Sequence, residues 1–284
     1  MTKNLSNKII LMILLLAFSK ILFFVTADAI AQSLDLATGK SEQPVEVTSD
    51  NGIEWQRGNQ VMIATGNAKA SRGTSHIEAD TLRAYYKKNK KGGSGLSRLD
   101  AVGQVIITSP TQRITGETGV YDLEQAIIVV TGKKVTLISG KDKISATQQM
   151  EYYEKKEMAI ARENASVLHD GKLLRANTLV AFFSKDKNSK SQVYRVQAFE
   201  NVHLVTKTES IWANKGIYDV ISGIVTLNGD VRISRDGNQL NGDHATINLN
   251  TGISKLLSAP VTASPKSSSR KKKRVRGYLA PKTK

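Results

Sequence analysis

The chain has 284 residues, 40% of them apolar, with 21 glycines, five prolines and no cysteine. That supplies the core of one large β domain or two ordinary ones, and it excludes a disulfide framework while leaving the compartment open. Nine of the Lys and Arg residues behind the net charge of +16 fall in Lys266–Lys284, which contains no acid; the body is only modestly basic, so the charge gives no warrant for a nucleic-acid-binding fold.

Residues 1–31 read as a secretory signal peptide. Lys3 and Lys8 form a positive start, Ile9 to Phe18 is a continuous apolar run, and Ala29-Ile30-Ala31 places small residues before Gln32. The run is too short for a bilayer: about ten residues rise ~15 Å as helix, half of a ~30 Å hydrocarbon core. Cleavage and export are expected; retention of the segment as an anchor is the rival. Residues 32–44 read as a flexible N-terminal segment, and 45–262 as the folded domain.

That domain repeats itself. Six copies begin "IEADTLRAYY" at Ile77, "ITGETGVYDL" at Ile114, "ISATQQMEYY" at Ile144, "LRANTLVAFF" at Leu174, "IWANKGIYDV" at Ile211 and "LNGDHATINL" at Leu240. The third place is always small: Ala79, Gly116, Ala146, Ala176, Ala213 and Gly242. Spacings of 37, 30, 30, 37 and 29 residues indicate a stacked architecture. A pair precedes each copy: Gly66-Asn67, Gly103-Gln104, Gly132-Lys133, Glu163-Asn164, Glu200-Asn201 and Gly229-Asp230. It reads as a turn leading into strict alternation, as in Val202-His203-Leu204 and Val231-Arg232-Ile233, the pattern of a half-buried strand.

Parity changes inside a copy. Ile114 and Gly116 share one parity, Tyr121 and Leu123 the other. Both pairs face one interior only if the alternation slips by one residue, which predicts a bulge or bend near the small residue. The two longer junctions, 87–100 and 184–192, are rich in Lys, Ser, Gly and Asp and read as solvent loops.

The ordered series Val45-x-Val47-x-Ser49-Asp50, Thr65-Gly66-Asn67, Ile77-x-Ala79-Asp80 and "GETGVYDL" resembles the OstA-like, LptA-type periplasmic lipopolysaccharide-transport proteins, in weaker form to about Ala259. The resemblance implies an all-β fold: a β-jelly-roll of stacked antiparallel strands, V-shaped in section, built here from about six repeats. It implies lipopolysaccharide acyl chains held in an apolar interior. The implied partners are an inner-membrane-anchored jelly-roll protein and an outer-membrane translocon, joined by end-to-end strand addition, with head-to-tail self-association. By parity the interior candidates are Val45, Val47, Val105, Ile107, Tyr121, Leu123, Val202, Leu204, Tyr218, Val220, Val231 and Ile233; the resemblance favours Val45, Val47, Ile107, Tyr121 and Leu123 as lipid-facing. A filled core and a lipid trough require the same alternation. Two alternatives therefore stay open: a structural β-repeat without lipid, and an anchored member of the same machinery.

No G-x-S-x-G, P-loop, H-E-x-x-H or Cys cluster occurs in the sequence. His76, His169, His203 and His244 occupy non-equivalent repeat positions, so neither a metal nor another cofactor is expected, and no enzyme. Asp80, Glu117 and Asp243 follow the small residue and read as partners for turn backbone groups. Residues 263–284 read as a disordered basic tail. Contact with phosphorylated headgroups is the sharper reading of its charge; behind a signal peptide it meets no nucleic acid.

Overall fold

The computed structural model describes residues 45–88, 94–185, 191–251, 253–258 and 274–280. The expected signal peptide, the 32–44 segment and most of the basic tail lie outside them. The strands are β1 (Glu46–Thr48), β2 (Ile53–Gln56), β3 (Val61–Arg72), β4 (Ser75–Lys88), β5 (Ser94–Thr108), β6 (Gln112–Asp122), β7 (Ile127–Thr131), β8 (Val135–Ser139), β9 (Asp142–Ala146) and β10 (Gln149–Tyr153). A 3₁₀ turn, Glu154–Lys156, precedes β11 (Met158–His169), β12 (Lys172–Lys185), β13 (Ser191–Val205), β14 (Glu209–Asp219), β15 (Ile224–Arg235), β16 (Asn238–Asn248), β17 (Ile253–Leu257) and β18 (Arg276–Tyr278). The described pairings are antiparallel throughout, as expected of an all-β jelly-roll.

Two compact units divide the chain. Among the described residues, one holds everything up to Asp170 plus Thr178–Val193, and the other holds Gly171–Asn177 and the chain from Tyr194 onward. In the first unit β3, β4, β5 and β6 follow one another as long hairpin arms. Beyond β6 the sheet divides into two ladders. The second half of β6 pairs with β7, then β10, then the first half of β11. The first half of β6 pairs with β8, then β9, then the second half of β11. β6 and β11 thus each serve two ladders, one with either half. In the second unit β13, β14, β15 and β16 form the same kind of series.

The divide lies where parity was expected to slip. Buried residues on β4 run Ile77, Ala79 and then Leu82; on β14 they run Ile211, Ala213 and then Gly216. A step of three after the small residue turns the second half inward. The neighbouring strand carries the compensating extra residue, and it is the Gly-x or Glu-Asn pair. Gly66 and Asn67 lie opposite Asp80 alone, Gly103 and Gln104 opposite Glu117, Glu200 and Asn201 opposite Asn214, and Gly229 and Asp230 opposite Asp243. Both members of these pairs have positive φ, for example 80° and 47° at Gly103 and Gln104.

This corrects the reading of the pair as a turn between strands. It is a bulge within one continuous strand, because two successive left-handed residues bend a strand without ending its ladder. Only at Gly132-Lys133 does the strand break, between β7 and β8, and its counterpart "ISATQQMEYY" breaks between β9 and β10. The expected loops are corrected too. Lys87 and Lys88 pair with Gly95 and Ser94, β12 runs to Lys185 and β13 begins at Ser191, so the described residues of both junctions are hairpin arm. Main-chain hydrogen bonding extends an exposed arm whatever the side-chain polarity. The tail is not structureless throughout either: Arg276–Tyr278 pairs with Gln239–Asn241.

Glycine matters at the bulge for a second reason. A Cβ on Gly103 would sit 2.0 Å from the Asp80 Oδ2 atom, in a conformation that side chains already disfavour. Gly103→Ala is expected to cost about 1–3 kcal/mol, and Asp80→Ala in the same chain should return part of it. Urea unfolding of the two single variants and the double variant measures the coupling. Strict additivity would show that Asp80 is not the obstacle.

Candidate functional site

The interior of the first unit is apolar and finely graded in size. Ala64, Ala68, Ala70, Ala79 and Ala101 are buried beside Ile77, Leu82, Val105, Ile107, Tyr121, Ile128, Val130 and Val135. Val47, Leu99, Ile114, Leu123, Met150 and Tyr152 pack against them at the margin. Strand halves from both ladders contribute, since the slip turns each half toward the same interior. Phenols supply the polar ends. The Tyr121 hydroxyl donates to Glu154 Oε1 at 2.9 Å. Burial first, and that bond second, push its pKa far above the ordinary tyrosine range. Burial likewise pushes Tyr152 up to about 12, and its ring meets Phe183 edge-on at 6.2 Å between centroids. Both phenols stay neutral at any physiological pH.

The structure sorts the predicted interior residues. Val105, Ile107 and Tyr121 are buried in the first unit, with Val47 and Leu123 half-buried beside them. Val45 does not join them: it precedes β1 and is 38% exposed, because one residue before the strand the ladder no longer fixes which way it points. In the second unit Val202, Val231 and Ile233 are buried, and Leu204, Tyr218 and Val220 are half-buried. Burial, with the Asp219 charge second, raises the Tyr218 pKa.

Sequence reasoning passed over Ile128 and Val130, though the run "IIVV" after Tyr121 is the signal of a buried strand. It also passed over Ala64, Ala68 and Ala101. Alanine carries little patterning signal, yet here it sets the width of the interior.

The polar groups are placed by the same register. Glu117 accepts from the Lys133 backbone N–H at 3.2 Å, as read from the repeat; Asp80 instead accepts from the Gln104 side-chain amide at 3.3 Å. On the outward face of the second unit, His203 stacks on Trp212 at 4.7 Å, and the Arg232 guanidinium lies 4.0 Å from that indole ring centre. Burial and then the Arg175 and Arg232 charges lower the His203 pKa. Among the described residues no group of three or more His, Cys, Asp or Glu could hold a metal ion.

Two buried carboxylates titrate in opposite directions. Burial pushes Glu151 up, but hydrogen bonds from Arg162, Tyr153 and Gln149 outweigh it and leave the group lowered. Its contribution is present above the ordinary carboxylate range and lost as pH falls through the lowered value. Glu209 is raised: burial outweighs the Arg235 charge, and its Oε2 atom has no hydrogen-bond partner.

A family model described as "LptA/(LptD N-terminal domain) LPS transport protein" matches this chain twice, over residues 46–158 and 143–253. The fold defines a repetitive β-jelly-roll, and those matches cover most of it. The chain belongs to the LptA/(LptD N-terminal domain) family of LPS transport proteins, a family of transport components and not of enzymes. A protein of Rhizobium meliloti (strain 1021), described as uncharacterized, is 32% identical over 106 residues, which is 36% of this chain and 56% of that protein. The chain thus spans about half the length of that curated relative. The crystal structure of LptH from Pseudomonas aeruginosa is described as the LptA homologous periplasmic component of the conserved lipopolysaccharide transport device. It aligns at 12% identity over 84% of this chain and 97% of that one, with a TM-score of 0.22; the family match carries the assignment without it.

The raised pKa of Glu209 fixes a sign. A carboxyl raised above its unfolded value contributes stability below the unfolded carboxylate range and loses it as pH rises through the folded value. Glu209→Gln keeps an acceptor for Arg235 and removes the buried charge. The variant should match the parent near pH 4 and exceed it by about 1 kcal/mol at pH 8, measured as urea midpoints at the two pH values. A less stable variant at pH 8 would reverse this reading.

Proposed function

We propose that this protein is a periplasmic carrier of lipopolysaccharide, exported by a cleaved signal peptide, that holds acyl chains in the apolar interior of its jelly-roll domain, residues 45–262. The family match over 46–253, on a chain whose strands turn both halves inward, is the observation that carries this reading. Each methylene withdrawn from water contributes ~0.8 kcal/mol, so a lipid with several acyl chains crosses an aqueous space only inside such a lining. The phosphorylated sugars stay at the hydrated margin.

Val47, Val105, Ile107, Tyr121 and Leu123 are the proposed lining in the first unit. Val202, Leu204, Tyr218, Val220, Val231 and Ile233 are their counterparts in the second. The sheet ends take the neighbours. An inner-membrane-anchored jelly-roll protein at one end and an outer-membrane translocon at the other add their strands, and further copies join head to tail between them. Strand addition extends the sheet and the apolar interior in one step. The energy for net flow comes from elsewhere in the machinery.

The test is photo-crosslinking in cells from a benzophenone amino acid at Tyr121, with Val120 as the control of opposite parity. Capture of lipopolysaccharide from Tyr121 and not from Val120 is the expected result. A folded, exported protein that captures lipid from neither position would make the interior a plain core and favour a structural β-repeat.

A further inference from the structure

β3 and β16 end their hairpin series in the same manner. One edge of β3 is covered by two short strands: β2 over Val61–Ala64 and β1 over Lys69–Ser71. One edge of β16 is covered likewise, by β17 over His244–Asn248 and by β18 over Gln239–Asn241. At each place one half is covered by a hairpin neighbour and the other half by a strand more distant in sequence. A strand added in trans to β16 finds β17 on one half and β18 on the other.

β18 is built to be displaced. It has three residues, all exposed, and Tyr278 and Leu279 leave 55% and 78% of their surfaces in solvent. Its central residue, Gly277, faces Leu240 and buries no side chain. One further bond, from the Ala280 N–H to Asn238 Oδ1 at 2.9 Å, ties its end. Arg274, just ahead of the strand, lines a cleft of about 390 Å³ with Asp230 and Asp243, beside Trp212, Arg232, Asn241 and Ser258. Arg274 thus brings a positive charge to a cleft that holds Asp230 and Asp243 as well as Arg232, and salt screens whatever these charges contribute.

We propose that β18 is a resident plug: the chain's own tail occupies, in cis, the Gln239–Asn241 edge that a strand of a second copy takes in trans. The second copy offers a fitting donor in β1 and β2, where Ile53 and Trp55 are 48% and 65% exposed on a short strand bearing Glu54. Capping one's own edge is a recognised protection against uncontrolled sheet growth, and a weak cap yields to a better strand. The plug rests on the strand-addition part of the function proposed above.

Two changes in the full chain test it. Gly277→Pro removes a main-chain donor from β18 and fixes its φ. Asn241→Cys with Arg276→Cys joins directly opposed residues in a protein that otherwise has no cysteine. Sedimentation across concentration should show Gly277→Pro self-associating at about tenfold lower concentration than the parent. The oxidised cysteine pair should stay monomeric, and reduction should restore the parent's behaviour. Amide exchange over residues 239–241 reports the plug itself, faster in the proline variant and slower in the locked one. Unchanged exchange in the proline variant would mean that β18 is not paired in solution. Faster exchange without more association would mean that the bared edge accepts no strand. Either result overturns the proposal. Lipid capture from Tyr121, measured in the same variants, stands apart: its loss in the parent sinks the carrier and leaves the plug, while its retention beside unchanged association does the reverse.

Discussion

The constraint behind the whole structure is the two-residue period of a strand. A side chain points to one face or the other, and a strand that folds over itself would bury one half and expose the other. This chain escapes by placing an extra residue on every second strand, opposite the residue that follows Ala or Gly in the repeat. The extra residue needs left-handed backbone, which glycine enters freely and Glu163 and Glu200 enter at a cost. Because the slip recurs at the same place in successive strands, the inward halves stack into continuous faces. A slip at one strand alone would have turned its apolar residues outward against its neighbours.

The interior that results is graded by side-chain size. Alanines sit close to the bulges, where strands bend and backbones approach. Isoleucine and leucine fill the straighter stretches, while Val105, Val202 and Val231 each directly follow a bulge. Tyr121 and Tyr152 lie where the apolar surface meets polar groups, each with an apolar body and a neutral hydroxyl. The buried acids follow different rules. Glu151 is held ionised by a guanidinium and two further donors, whereas Glu209 is buried with one oxygen lacking a hydrogen bond. Ionic burial is neutral or costly unless every lone pair is met, and only the first of these two sites meets most of them.

Much of this was legible in the residues. The repeat, its small third residue and the change of parity between Ile114 and Tyr121 together require a slip, and the slip is there. Its exact seat was not legible. Gly-Asn and Glu-Asn are turn-forming pairs in most settings, and only the register with the neighbouring strand shows that the ladder continues past them. Lys87-Lys88 and Ser94–Asp100 looked like loop because their side chains are polar; exposed hairpin arms are polar for the same reason. Val45 looked interior because parity extends past the end of a strand on paper and not in a chain. The alanines of the interior were invisible to a pattern that weighs large apolar residues. Strand 18 was hidden inside a run of Lys and Arg, where composition argues for disorder and Gly277-Tyr278 is too short a signal to oppose it.

The break at Gly132 and Thr147 has a mechanical consequence. β4, β5 and β6 each pass through the fold as one uninterrupted rib, so spreading their two halves means bending a hydrogen-bonded strand. At β7 and β8, and again at β9 and β10, the rib is cut and its halves are joined by short connections, with the Gly132 N–H bonded to Gln148 O at 3.1 Å and the Thr147 N–H to Glu163 O at 2.8 Å. Those cut ribs act as a joint between stiffer neighbours. Compliance in the first unit is therefore concentrated at one place along its length, where spreading the two halves costs the least elastic energy.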